Sequence, residues 1–133
     1  MIDAMIQSAD TASVSLTVAD NDTAIALGSG DVSVLGTPRV VALCEQAAVA
    51  AISNRLDPEM TSVGISISLD HLEPTAVGRT VIASATVTVV DGRSVEFELV
   101  VAEGTTTVAR GIHTRVLVNR ARFEKRTQAA QSG

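Results

Sequence analysis

The stretch Arg39-Val-Val-Ala-Leu-Cys-Glu-Gln-Ala-Ala-Val-Ala-Ala-Ile-Ser53 constrains this chain more than any other. It is the one long helical segment, and apolar residues fall on every side of it. A helix of that kind needs cover around its whole circumference, from the rest of the chain or from another copy of it. Thr37-Pro38 marks its start, since Thr can cap a helix and Pro fits the first helical position. Asn54 to Asp57-Pro58 marks its end. One acid, Glu45, sits in the middle. A buried carboxylate must be paired, hydrogen-bonded or neutral, and burial and neighbours can move its pKa toward a chemically useful value. The plainer alternative is a carboxylate at an exposed edge of the helix or in a structural ion pair.

The segments around the helix read as strands. Ser13 to Val18 alternates strictly, Asp20-Asn-Asp22 suggests a turn, Thr23 to Leu27 reads as a second short strand, and Gly28 to Asp31 as a loop. Downstream, Val63, Ile65, Ile67, Leu69 and His71 fall on one face of a strand, and Val81, Ala83, Ala85, Val87 and Val89 on one face of the next. Asp91-Gly92 is a hairpin turn. Val95, Phe97, Leu99 and Val101 line the following strand with Glu96 and Glu98 opposite, Glu103-Gly104 turns the chain again, and Thr105 to Val118 completes the meander. The fold class is therefore α+β, with a long central helix wrapped by a curved antiparallel sheet. A single domain over residues 1–133 is expected, with its core at about residues 11–125 and a disordered C-terminal tail.

Composition excludes several functions. Tyr and Trp are absent and the only aromatics are Phe97 and Phe123, so no stacking platform for nucleic-acid bases exists. The net charge of −5 also disfavours phosphate polymers. Six of the ten basic residues nevertheless fall between Arg110 and Arg126. That segment reads either as a seat for a small phosphorylated ligand or, more plainly, as a solvated strand and tail. Cys44 is the single cysteine, a core residue rather than half of a disulfide. Two histidines and one cysteine without ligand spacing argue against a metal site. Met1 to Gln7 lacks the basic start and apolar run of a signal peptide, and no apolar stretch is long enough to span a bilayer. The expectation is a cytoplasmic protein with no membrane contact.

Three residues carry the candidate chemistry. His71 is in phase with the apolar face of its strand and so points toward the helix that bears Glu45. Its neighbour Asp70 points the other way. Thr37 places a hydroxyl at the positive end of the helix, able to meet developing negative charge or to act as a nucleophile beside a base. Thr37 and Glu45 are about 12 Å apart along a helix axis. To serve one site they must be bridged by substrate or come from two subunits.

The pattern Gly36-Thr37, Glu45 after seven more residues, Gly64, His71-Leu72, Gly78, Gly111-Ile-His113-Thr-Arg115 and Arg122-Phe123 resembles the fluoroacetyl-CoA thioesterase type of hotdog protein, over roughly Val34 to Lys125. The resemblance implies a homodimeric acyl-CoA thioesterase, as a dimer or a pair of dimers, with Thr37, Glu45 and His71 as the catalytic set at the subunit interface. It places Gly64 beside the thioester, where the missing Cβ lets backbone approach. Coenzyme A enters as part of the substrate and no separate cofactor is implied. Arg79, Arg115 and Arg120 are the candidates for its phosphates. His113 is expected in a structural or pocket-edge role. The fluoroacetyl-specific enzyme carries aromatic residues before its Thr, whereas Ala24 to Leu35 holds none, so a broader or different small or medium acyl group is expected. Two other readings share the fold: a non-catalytic dimer that binds acyl-CoA or another small ligand, and a hydratase or dehydratase of acyl thioesters built on Asp70-His71.

Overall fold

The computed structural model describes residues 6–132. Most of the N-terminal segment Met1 to Gln7, and Gly133, lie outside them. The elements run β1 (Thr11–Thr17), α1 (Ala24–Leu27), α2 (Thr37–Ile52), β2 (Met60–His71), β3 (Thr80–Asp91), β4 (Ser94–Glu103), β5 (Thr106–Asn119) and α3 (Arg120–Ser132). The five strands form one antiparallel sheet in the order β1-β3-β4-β5-β2, and α2 packs across it, chiefly on β1 and β3.

The core forms where helix and sheet meet. Val40, Leu43, Cys44, Ala47, Ala48 and Ala51 of α2 are buried, as are Val81, Ala83, Ala85 and Val87 of β3 and Val95, Phe97, Leu99 and Val101 of β4. Alanines on both sides let the helix lie close to the sheet, and burial of this set is the main driving force for the fold. Burial pushes the Cys44 thiol up to about 11, with Glu45 adding to the shift. It is a packing residue and not a nucleophile.

Four local expectations are corrected. The chain by itself does not cover the helix all round: Ala42, Gln46, Val49 and Ala50 are exposed and Glu45 is half-buried. One sheet covers little more than half of a helix, and this stripe is what the sheet leaves open. Ala24 to Leu27 forms α1 instead of a strand, because the Thr23 hydroxyl caps it by accepting from Ala26 N–H and Gly28 closes the turn at φ 70°. The tail is helical, not disordered. Asn119 accepts from the Arg122 N–H, and the run from Arg120 onward is rich in good helix formers.

The fourth correction concerns phase. β2 bulges between Gly64 and Ser66, so a strict alternation across Ile65 fails. Ser62 and Gly64 lie opposite Leu117 and Arg115, whereas Ile67, Leu69 and His71 lie opposite His113, Gly111 and Ala109. Both sets face the helix, and Ile65 is left 59% exposed. A second bulge in β3, between Val87 and Val89, likewise turns Val89 outward to 49% exposure. Gly111 is needed for close packing of β5 on β2: a Cβ there would stand 2.0 Å from the Ser68 carbonyl oxygen.

Candidate active site

The candidate site residues on the helix side of the sheet fall into two clusters. In the first, Gly36 takes the cap position of α2 with extended backbone and no side-chain cap, and Pro38 lies in the first turn. Thr37 is therefore the first helical residue rather than the cap, and its hydroxyl is not consumed by the helix end. It meets His71 instead, with Thr37 Oγ1 2.8 Å from His71 Nδ1. The pair joins the start of α2 to the end of β2 on a cavity of about 370 Å³, whose wall includes Asp31, Val32, Leu35, Leu72 and Glu73. The loop before Thr37 is pinned by bridges from Leu35 to Thr23 and from Val34 to Ala76.

Burial holds the His71 imidazole below its usual value of 6.5, with a backbone hydrogen bond involving Glu73 opposing the shift. The ring is neutral at pH 7 and able to accept a proton. Nε2 is buried without a well-formed hydrogen bond. A hydroxyl, a neutral imidazole at hydrogen-bond distance and the positive end of a helix make a nucleophile–base arrangement.

The second cluster surrounds Glu45. Arg115, only 7% exposed, reaches from β5 so that NH1 lies 3.2 Å from Glu45 Oε2. Its Nε donates to Ser62 Oγ at 2.8 Å and NH2 donates to the Ser62 carbonyl at 3.2 Å. His113 Nδ1 is 2.7 Å from the Ser66 carbonyl oxygen, and Nε2 is 3.1 Å from Arg115 NH1. A carbonyl only accepts and a guanidinium only donates. His113 must therefore be neutral, with its proton on Nδ1. Burial drives its pKa down in agreement. Arg115 thus donates to His113 on one side and to the carboxylate on the other, while Ser62 accepts from its remaining N–H groups, and this anchoring fixes where Glu45 points. Gly64 completes it. A Cβ on Gly64 would stand 2.5 Å from Glu45 Oε2, so only glycine leaves the carboxylate its place.

The structure thus brings Thr37 and His71 together and places Glu45 in a separate cluster with Gly64 and Arg115. Arg115's guanidinium is engaged with the chain's own groups. Arg79 is paired with Glu103 at an exposed position. Arg120 opens α3 beside a cavity that also involves Val49, Ile52, Met60 and Ser62. Asp70 lines a depression on the other face of the sheet with Glu98 and Arg110, so Asp70 and His71 do not share a site. Sequence reasoning undervalued His113 and did not single out Ser62. The signal for His113 was present: His113 and Arg115 alternate in phase with buried Leu117, two polar side chains on an otherwise apolar face.

Comparison with known proteins bears on the family and the fold. A family model described as fluoroacetyl-CoA-specific thioesterase matches residues 18–121. The fluoroacetyl-CoA thioesterase of Streptantibioticus cattleyicolor is 28% identical over 95 residues, covering 71% of this chain and 68% of that protein. A crystal structure of the fluoroacetyl-CoA thioesterase superposes with a TM-score of 0.88 at 23% identity, covering 93% of this chain and 96% of the other. A hot-dog-like protein from Thermanaerovibrio acidaminovorans superposes at 0.90 with 22% identity, covering 98% and 97%. The sheet wrapped on α2 is accordingly a hotdog fold, and with the family model spanning most of its length, this chain belongs to the fluoroacetyl-CoA-specific thioesterase family.

Proposed function

We propose that this protein is an acyl-CoA thioesterase whose catalytic groups are Thr37, His71 and Glu45. The observation that carries the reading is the Thr37 hydroxyl held 2.8 Å from a neutral His71 on an open cavity. His71 takes the hydroxyl proton as Thr37 Oγ attacks the thioester carbonyl carbon. The C–S bond breaks, the CoA sulfur leaves with a proton, and a water then hydrolyses the Thr37 ester with His71 again as base. Glu45 supplies the remaining carboxylate as a second base, aimed by Arg115. Coenzyme A arrives as part of the substrate, and the reaction needs no other cofactor. CoA esters as substrates fit a cytoplasmic protein, and no described helix is long and apolar enough to cross a membrane.

Thr37 and Glu45 lie about 12 Å apart along one helix. We place them in one site by pairing two subunits, Glu45 of one facing Thr37 and His71 of the other. Support comes from the exposed stripe of Ala42, Val49 and Ala50 around Glu45 and from the open edge of β2, which among the described residues pairs with β5 alone. The acyl group is small and uncharged. Apart from the neutral His71, the cavity beside Thr37 has no aromatic residue and no Lys or Arg, and it carries two acids, Asp31 and Glu73, so a carboxylated acyl group is repelled.

The test is a panel of acyl-CoAs with free thiol followed over time. Short neutral acyl groups should be cleaved faster than malonyl or succinyl groups. Binding of CoA esters with no thiol release would replace this reading with that of a non-catalytic binding dimer.

A further inference from the structure

Three arginines meet at the far end of the molecule from Thr37. Arg93 comes from the β3–β4 turn, and Arg122 and Arg126 come from α3 at a spacing that puts them on one helix face. With Phe123, Met60 and Val118 they border a cavity of about 350 Å³. None of the three guanidiniums makes a hydrogen bond or ion pair among the described residues, whereas Arg39, Arg55, Arg79 and Arg115 each bond an acid. Asp57 and Glu59 border the same cavity, yet neither pairs with an arginine there. Three cations face two carboxylates in a chain whose net charge is −5. Like charges so placed repel one another, and a bound anion relieves that repulsion.

This cavity connects to the second cluster. Through Asp57 and Met60 it adjoins the cavity between the end of α2 and the start of β2, which carries Arg120 and Ser62. Through Val49 that cavity adjoins the open surface of α2 at Glu45 and Arg115. Three cavities thus succeed one another, through shared wall residues, from the carboxylate to the arginines. Along β2, Gly64 beside Glu45 and Met60 beside the arginines are four residues apart, about 13 Å. An extended pantetheine arm has to cover a separation of that order between a reacting thioester and the phosphates of CoA.

We infer that Arg93, Arg122 and Arg126 seat the phosphates at the nucleotide end of the CoA substrate, an assignment that rests on the thioesterase reading above. Guanidiniums suit phosphate because their planar forks donate two parallel hydrogen bonds. The pantetheine arm follows these cavities past Ser62 and Val49, and Phe123 offers an apolar wall to the adenine.

The experiment is a calorimetric titration of the intact protein and its R122E/R126E variant with CoA and with 3′-dephospho-CoA. Kinetics on acetyl-CoA and on the acetyl thioester of N-acetylcysteamine, which has no phosphate, accompany it. The variant should bind CoA at least about tenfold more weakly. Its discrimination between acetyl-CoA and the short thioester should fall by a similar factor, seated in KM. The R122K/R126K variant should recover part of the loss, and circular dichroism checks that α3 persists. CoA affinity within about twofold of the parent protein in R122E/R126E, or no CoA binding by the parent protein at all, overturns the assignment. Failure of the parent protein to cleave either thioester while CoA binding remains arginine-dependent sinks the thioesterase reading and leaves the phosphate seat standing.

Discussion

At the scale of single residues, one displacement carries the proposed chemistry. Thr37-Pro38 reads in sequence as a cap followed by the first helical residue. Because Gly36 takes the cap, Thr37 moves one step inward and its hydroxyl is available to His71. The contact was only half legible. Strand phase pointed His71 at the helix, but no pattern in the sequence says which helical residue it will meet. The pH dependence follows from the burial of the imidazole. Its pKa lies below 6.5, and only the neutral ring accepts a proton. Activity should therefore be low in acid, rise through a single ionisation below pH 6.5 and be level at neutrality. A kcat/KM profile checks this. His71→Ala should remove the ionisation and lower kcat about 10²- to 10⁴-fold. A rise centred well above pH 6.5 would contradict the base role. Glu45 teaches a different lesson. Its isolation among apolar residues in the sequence suggested burial, yet its side chain is 41% exposed, because the sheet stops short of that side of the helix.

At the scale of elements, the meander, its two tight turns and the long helix were legible because each follows one rule: period two, turn glycines, or an unbroken apolar run. The bulges were not legible, since one extra residue resets the phase without changing composition. The bulge at Ile65 has a functional result. It lets Ser62 and Gly64 as well as Ile67 and His71 face the helix, so one strand serves both polar clusters. That arrangement depends on β5 lying tightly on β2, which Gly111 permits. A Gly111→Ala methyl would stand 2.0 Å from the Ser68 carbonyl oxygen, and backbone cannot swing aside as a side-chain tip can. The substitution should cost about 1–3 kcal/mol or more, as overpacking does, and urea titration will read it as a lower midpoint at an unchanged slope. Stability equal to that of the unsubstituted protein would show that β2 shifts freely, and the fixed direction of Glu45 would then have another origin.

At the scale of the whole molecule, one chain contains all the groups of the proposed site but holds them in two separate clusters. Thr37 and His71 form one half, and Glu45 with its arginine and histidine forms the other. They are separated by a rigid helix of fixed rise, which no side-chain motion shortens. The proposed two-fold dimer solves this, because it would set the first half of each subunit against the second half of its partner. The consequence can be measured without a structure of the dimer. Thr37→Ala removes one half and Glu45→Gln the other, so each variant alone should be nearly inactive. When the two are unfolded together and refolded as a mixture, random pairing makes half of the dimers mixed. Each mixed dimer carries one site with neither substitution and one site with both. The mixture should then regain about a quarter of the activity of the unsubstituted protein. If each chain builds its own site, no pairing unites an intact Thr37 with an intact Glu45, and the refolded mixture will stay as inactive as its components.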